Sequence, residues 1–147
     1  MKSIILSLII SISAFAMPPW FNDENKAGAH AFKTHTPIVV FVYSDHCGWC
    51  QKMIAGYQSG PLHEAFMKSK VTFLRIPDGD PRIQKYGFTH ERLPATFFID
   101  AYGNKIGPKI DGFIPPSEMA DTIMKFSDWY QSLNKRTNKP SQKQPQK

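Results

Sequence analysis

The most informative part of the sequence is residues 37–50, which read PIVVFVYSDHCGWC. Its first half, Pro37 to Ser44, is a nearly continuous run of β-branched and aromatic residues, which predicts a strand buried on both faces. After Cys50 the chain has helical spacing, with Met53 and Tyr57 on one side. Both cysteines of the chain therefore fall at the turn where a buried strand becomes a helix.

The chemistry of this turn depends on the order of its two cysteines. Cys47 is predicted at or just before the helix N-terminus, where unpaired backbone N–H groups and the helix dipole favour a thiolate. Cys50 lies one helical turn further, where it can attack a mixed disulfide formed at Cys47 but is itself shielded. The pattern indicates reversible thiol–disulfide exchange, with Cys47 as the nucleophile and Cys50 as the resolving cysteine.

Other functions of a Cys-x-x-Cys unit fit this sequence less well. A structural zinc site would need two further ligands, and the candidates His46, His63 and His90 lack the spacing of zinc fingers. Haem attachment requires a histidine directly after Cys50, and Gln51 occupies that position. A purely structural disulfide would close too short a loop to stabilise the fold much. Zinc binding and a structural disulfide stay open as weaker alternatives.

Strand and helix patterns alternate along the rest of the chain. Further strands are predicted over residues 71–76, 95–99 and 105–111, and helices over 22–33, 62–68, 81–86 and 115–130. The aromatic lead-in Trp20-Phe21 is expected on the domain surface. This order predicts an α/β fold, with a central mixed β-sheet flanked by helices.

The N-terminus has the pattern of an export signal. One lysine precedes an uncharged stretch of 14 residues, Ser3 to Ala16, which is shorter than the roughly 20 residues of a membrane span. It ends in Ala14-Phe15-Ala16, the small-x-small pattern of a cleavage site. We predict a signal peptide over residues 1–16, a single folded domain over residues 17–133, and a periplasmic location for the mature protein.

The composition describes a folded globular protein whose positive charge is unevenly distributed. The 147 residues are 41% hydrophobic and 20% charged, which excludes a disordered or collagen-like chain. The formal charge is +6, but the segment 134–147 holds five basic and no acidic residues and is predicted to be disordered. Without it and Lys2, twelve basic residues balance twelve acidic ones. We therefore expect no nucleic-acid partner, and contact with an anionic surface only through the tail.

A second motif lies in residues 92–100, where Leu93-Pro94 directly precedes an apolar strand. With it, the chain resembles the thioredoxin superfamily over residues 37–130, and most of all its small periplasmic thiol–disulfide oxidoreductases. The residues that carry the resemblance are the strand 39–43, Cys47-Gly48-Trp49-Cys50, Leu93-Pro94 before strand 96–99, the turn Tyr102-Gly103-Asn104, and Gly112.

The resemblance implies a substrate-binding groove. It implies a cis peptide bond before Pro94, packed against the dithiol, and a backbone at Leu93 that pairs with an extended substrate. The shallow apolar groove around Cys47 would be formed by Trp49, Leu93, Pro94, Gly112 and Phe113. Such a groove suits unfolded or extended polypeptide.

One residue departs from the family pattern. Many thioredoxins carry a buried acid six residues before the first cysteine, which handles the proton of the second cysteine; here that residue is Phe41. Deprotonation of Cys50 must then use water or another group. Asp45 and His46 are the nearest ionisable candidates: a protonated His46 would stabilise the Cys47 thiolate, and Asp45 would oppose it.

The sequence thus predicts a periplasmic thiol–disulfide oxidoreductase that exchanges disulfides with protein substrates. Its only redox group would be the Cys47–Cys50 disulfide, without a metal or other cofactor. The dipeptide Gly48-Trp49 lacks the histidine of strongly oxidising relatives, which slightly favours a reductase supplied by a membrane redox partner. The alternatives are a disulfide-forming oxidase, a binding or assembly module of an envelope or secretion complex, and a metal-delivery protein.

Overall fold

The computed structural model describes residues 20–137. The strands are β1 (Trp20–Phe21), β2 (Ile38–Tyr43), β3 (Thr72–Pro77), β4 (Ala95–Ile99) and β5 (Ile110–Asp111). The helices are α1 (Glu24–Thr34), α2 (Gly48–Gln58), α3 (Gly60–Lys68), α4 (Pro81–Lys85) and α5 (Pro116–Thr137). The strands form one sheet in the order β1-β3-β2-β4-β5, with the first three parallel and the last two antiparallel to their neighbours. The predicted α/β class with a mixed central sheet is confirmed.

Strand β2 lies at the centre of the sheet and explains why its sequence is apolar throughout. Val39 and Phe41 pack against α2, α3 and α5 on one face. Ile38, Val40 and Val42 pack against α1 and α4 on the other face. Because helices cover both faces, alternate side chains of β2 enter two separate cores, and the strand needs no polar face. The strand ends at the turn that carries the dithiol.

The aromatic lead-in lies at the edge of the core: Trp20 and Phe21 stay partly exposed, as predicted, but both also pack against buried residues, which the sequence did not indicate. Strand β1 pairs in parallel with β3. The Trp20 ring centroid lies 5.7 Å from that of Phe41, 4.9 Å from Tyr57, 5.3 Å from Phe66 and 5.5 Å from Phe73. A strand of two residues has no sequence periodicity, and its partner is some fifty positions away, so the pairing is invisible locally.

The strand predicted over residues 105–111 is also shorter than expected. Only Ile110–Asp111 pairs with β4, together with an isolated bridge between Ile99 and Lys105. Pro108 lies between these two points and has no N–H to donate to a ladder. The neighbouring Gly107 lies in close contact with the core instead.

We expect Gly107→Ala to lower the free energy of unfolding by about 2 kcal/mol. A Cβ atom there would lie 2.6 Å from Cβ of Phe98 and 3.2 Å from Cε2 of Phe126, so the core would have to shift. The matched control is Gly28→Ala in α1, where the new Cβ would meet only the Ala101 carbonyl oxygen at 3.6 Å. Denaturant unfolding measures both; equal effects would contradict the close contact at Gly107.

The C-terminal helix extends beyond the predicted domain boundary. Residues 134–137 were predicted to be part of a disordered tail, but they form the last turn of α5. Two basic residues in this turn interact favourably with the helix dipole, and the Asn134 side-chain amide donates to the His35 carbonyl at 3.3 Å. The rest of the tail, 138–147, and the predicted signal peptide, 1–16, lie outside the described residues. Among the described helices, none is long and apolar enough to span a bilayer.

Candidate active site

The two cysteines form a disulfide at the start of α2. Their Cα atoms are 5.2 Å apart. Cys47 is the extended N-cap residue of the helix, and its sulfur accepts a hydrogen bond from the Cys50 backbone N–H at 3.1 Å. Cys47 is partly exposed, whereas Cys50 is fully buried. A partner from solution would therefore reach the sulfur of Cys47 first.

The turn before the dithiol is held by Ser44. The Cys47 N–H donates to the Ser44 carbonyl at 3.2 Å, and the His46 N–H donates to the Ser44 hydroxyl at 3.3 Å. The side chains of Asp45 and His46 are exposed, and neither has a hydrogen bond or ion pair with another described residue. Their modulating role stays a prediction.

Four of the five residues predicted for the groove lie together. A hollow of about 280 Å³ is lined by Trp49, Arg92, Leu93, Asp111, Gly112 and Phe113. The ring centroids of Trp49 and Phe113 are 4.8 Å apart. Trp49, which lies between the two cysteines, is 55% exposed. Pro94, the fifth residue, is buried beneath this surface. The hollow is therefore a shallow surface with an aromatic wall.

The backbone at the floor of the hollow is partly unpaired. The Leu93–Pro94 peptide bond is cis. The Pro94 carbonyl accepts the Gly112 N–H at 2.9 Å, and Gly112 has a φ of 96°, in the region that favours glycine. Within the described part of the chain, neither the N–H nor the carbonyl of Leu93 has a hydrogen-bond partner. These two groups are free to pair with another extended backbone.

Asp111 holds the loop that leads to Leu93, a role that sequence reasoning missed. Its carboxylate accepts the N–H groups of Glu91 at 3.2 Å and Arg92 at 3.3 Å, and lies 2.8 Å from the Lys109 ammonium. Partial burial raises the pKa of Asp111, but the hydrogen bonds from Lys109, Arg92 and Glu91 outweigh it and hold the pKa below its ordinary value. The contact depends on the pairing of β5 with β4, so no local sequence signal could have indicated it.

The loop that leads to Leu93 is also held by contacts of His90, for which the sequence indicated no partner. The Nε2 atom of His90 lies 3.1 Å from a carboxylate oxygen of Asp78, and its Nδ1 atom lies 3.2 Å from the Phe88 carbonyl. Asp78 directly follows β3, so this pair joins the loop to the end of the sheet. Together, Asp78 and Asp111 hold the segment that presents Leu93.

The core beneath the dithiol helix is aromatic where many thioredoxins carry an acid. Phe41 is buried, and its ring centroid lies 5.8 Å from that of Tyr57 and 6.1 Å from that of Tyr43. The Tyr57 hydroxyl is buried and has no hydrogen-bond partner among the described residues. Burial raises the pKa of Tyr57 well above its ordinary value. This core therefore presents no carboxylate at the position of Phe41.

We expect Tyr57→Phe to raise the free energy of unfolding by about 1 kcal/mol at neutral pH, because it removes an unpaired buried hydroxyl. In the folded protein Tyr57 stays protonated above pH 10.0, its ordinary pKa, whereas in the unfolded chain it ionises there. Wild type should therefore lose stability relative to the variant as the pH rises above about 10. Denaturant unfolding of both proteins from about pH 7 to 11 gives the difference in their free energies of unfolding, which reports on Tyr57 alone. A difference that does not change with pH would contradict the burial of Tyr57.

The described residues contain no group of three or more His, Cys, Asp or Glu side chains placed to hold a metal ion.

Comparison with solved structures identifies the fold. A thioredoxin from Thermus thermophilus matches with a TM-score of 0.64 and 15% identity, over 85% of this chain and 98% of that one. A thioredoxin-like protein from Clostridium perfringens matches with a TM-score of 0.55 and 16% identity, over 84% and 91%. The DsbH oxidoreductase matches with a TM-score of 0.54 and 20% identity, over 84% and 95%. The chain therefore has the thioredoxin fold, as the resemblance in its sequence implied.

Sequence comparison adds no narrower assignment. No protein-family model matches the chain, and no curated protein matches it. At the identities of the solved structures the likeness defines the fold, so the activity must be argued from the dithiol and the groove beside it.

Proposed function

We propose that the protein is a thiol–disulfide oxidoreductase that acts on protein substrates. One observation carries this proposal: Cys47 is partly exposed at the N-cap of α2, and Cys50 is buried behind it. The N-cap position favours a thiolate at Cys47, and the Cys50 N–H that already donates to its sulfur would stabilise that charge. The arrangement suits one attacking and one resolving sulfur.

In the reducing direction, the Cys47 thiolate attacks one sulfur of a substrate disulfide. The other substrate sulfur leaves as a thiolate, and a mixed disulfide joins Cys47 to the substrate. Cys50 then loses its proton and attacks the Cys47 sulfur, which releases the second substrate thiolate and re-forms the Cys47–Cys50 bond. The substrate gains two electrons and, after protonation, two thiols. The oxidising direction is the same path reversed.

Substrate binding is proposed to use the groove. An extended polypeptide would pair with the free N–H and carbonyl of Leu93, as an added edge strand. Trp49 and Phe113 would cover its apolar side chains, and Gly112 allows a close approach of backbone to backbone. With Phe41 in place of an acid, the proton of Cys50 would leave through water or another group rather than a buried carboxylate.

We further propose that the protein works in the periplasm as a reductase supplied by a membrane redox partner. The sequence of residues 1–16 supports export, and the dipeptide between the cysteines supports reduction. The reduction potential of the purified protein tests the direction. A value near about −270 mV, typical of thioredoxins, supports a reductase, and a value near about −120 mV would make it an oxidase.

The activity itself is tested with a soluble disulfide-containing protein and dithiothreitol as the electron source. The protein should accelerate reduction well beyond dithiothreitol alone, and a variant with both Cys47 and Cys50 changed to serine should not. Equal rates with the two proteins would exclude an oxidoreductase. If both then bound unfolded polypeptide equally, the alternative of a binding or assembly module would replace it.

A further inference from the structure

A positive charge lies beside the aromatic wall of the groove. The Lys52 ammonium lies 5.0 Å from the ring centroid of Trp49 and 5.9 Å from that of Phe113. Lys52 and Trp49 are three residues apart on α2, so they share one face of the helix. Attraction between the ammonium and the two rings favours a position of the Lys52 charge beside the aromatic wall, although Lys52 is exposed and does not line the hollow itself.

A second cation, Arg92, lines the hollow itself. Arg92 is exposed, and its side chain passes Gly112, where a Cβ atom would lie 3.7 Å from both Cβ and Cδ of Arg92. Within residues 20–137, neither Lys52 nor Arg92 forms an ion pair. Both cations are therefore available to a ligand in the groove.

None of the described acidic groups of this region forms an ion pair with either cation. The Asp111 carboxylate lines the hollow, but it is already paired with Lys109 and accepts two backbone N–H groups. Asp45 and Glu91 are exposed residues of the neighbouring loops and form no ion pair with Lys52 or Arg92. A bound segment would thus meet an aromatic wall with unpaired positive charge beside it.

We propose that the groove selects substrate segments that carry Asp or Glu side chains within a few residues of the reactive cysteine. This inference rests on the proposed function and names its substrate class. A carboxylate next to the cysteine would pair with Lys52 or Arg92, and the fork of the Arg92 guanidinium can bind both of its oxygens. Charge complementarity of this kind acts mainly on the rate of encounter and on discrimination between partners.

Three peptides test the inference. They are identical except for Glu, Gln or Lys on both sides of a single cysteine, which is linked by a disulfide to thionitrobenzoate. When Cys47 of the reduced protein bonds to the peptide sulfur, the thionitrobenzoate leaves as a coloured thiolate, so its release reports the rate. Each rate is divided by that with 2-mercaptoethanol, which corrects for the intrinsic reactivity of each peptide. At low ionic strength the Glu peptide should react about fivefold faster than the Lys peptide, with the Gln peptide between them.

Substitutions of Lys52 and Arg92 test whether these two residues cause the preference for the Glu peptide. Lys52→Gln and Arg92→Gln should each reduce the ratio of Glu to Lys rates by about twofold, and the double variant should bring it close to one. Lys26→Gln, which removes the same charge from α1 on the other face of the sheet, should leave the ratio unchanged. Raising the salt concentration to about 1 M should also reduce the wild-type ratio. Thermal unfolding checks that each variant is folded.

The outcomes separate this inference from the proposed function. Equal corrected rates for the three peptides, or a preference that survives in the double variant, would overturn the charge selection while leaving the exchange activity intact. If no peptide reacts faster with wild type than with Cys47→Ser, both the charge selection and the oxidoreductase fail.

Discussion

Cys50→Ser is expected to accumulate disulfide-linked complexes with its substrates, and Cys47→Ser is expected to accumulate none. The partly exposed Cys47 sulfur can still attack in the first variant, but no second sulfur lies behind it to release the substrate. In the second variant the remaining sulfur, that of Cys50, is buried. Neither variant should show measurable turnover. The complexes are measured by electrophoresis without reductant, and their partners are identified by mass spectrometry.

The matched control is the variant with both cysteines changed to serine, which should form no complex at all. Dithiothreitol should release every partner from the Cys50→Ser complexes. Equal trapping by Cys47→Ser and Cys50→Ser would show that either sulfur can attack a substrate disulfide, and the assignment of nucleophile and resolving cysteine would be wrong. Partners trapped in intact cells would also identify the substrates.

Trp20→Ala is expected to lower the free energy of unfolding by about 3 kcal/mol, the largest effect on stability predicted here. The Trp20 ring packs within 6 Å of four aromatic rings, and its removal would leave a cavity between β1 and the helices on that face. Denaturant unfolding measures the loss as a shift in midpoint at an unchanged slope.

Trp49→Ala is the matched control for this prediction, since it removes the same side chain from the surface. Trp49 is 55% exposed, so its loss should change the free energy of unfolding by about 0.5 kcal/mol or less. A loss of about 0.5 kcal/mol or less in Trp20→Ala as well would mean that the Trp20 ring contributes no more to stability than an exposed side chain.

Much of the fold was predictable because its decisive signals are local. The apolar run before Cys47 identifies the central strand, since burial on both faces leaves no polar alternation. The cysteine spacing and the helical pattern that follows indicate the dithiol chemistry of Cys47 and Cys50. Together with the Leu93-Pro94 pair they carry the resemblance that implied the thioredoxin fold. The position of Lys52 beside Trp49 could also have been predicted from the sequence, because a spacing of three residues places both on one helix face.

The rest depends on residues that meet only across the fold. Trp20 is partly buried against the core because β1 pairs with β3. Asp111 holds the loop that leads to Leu93 because β5 pairs with β4. The contact between His90 and Asp78 likewise joins two segments that are separate in the sequence. In each case the partner lies far along the chain or in another element. A short strand or a single charged residue has the same local sequence pattern whether it lies in a core, in a loop or on a solvated surface. The sequence by itself determined the dithiol and its fold, because strand, turn and helix are contiguous there. Only the tertiary structure decided how the groove is held and charged, because its groups are brought together by strand pairing and packing.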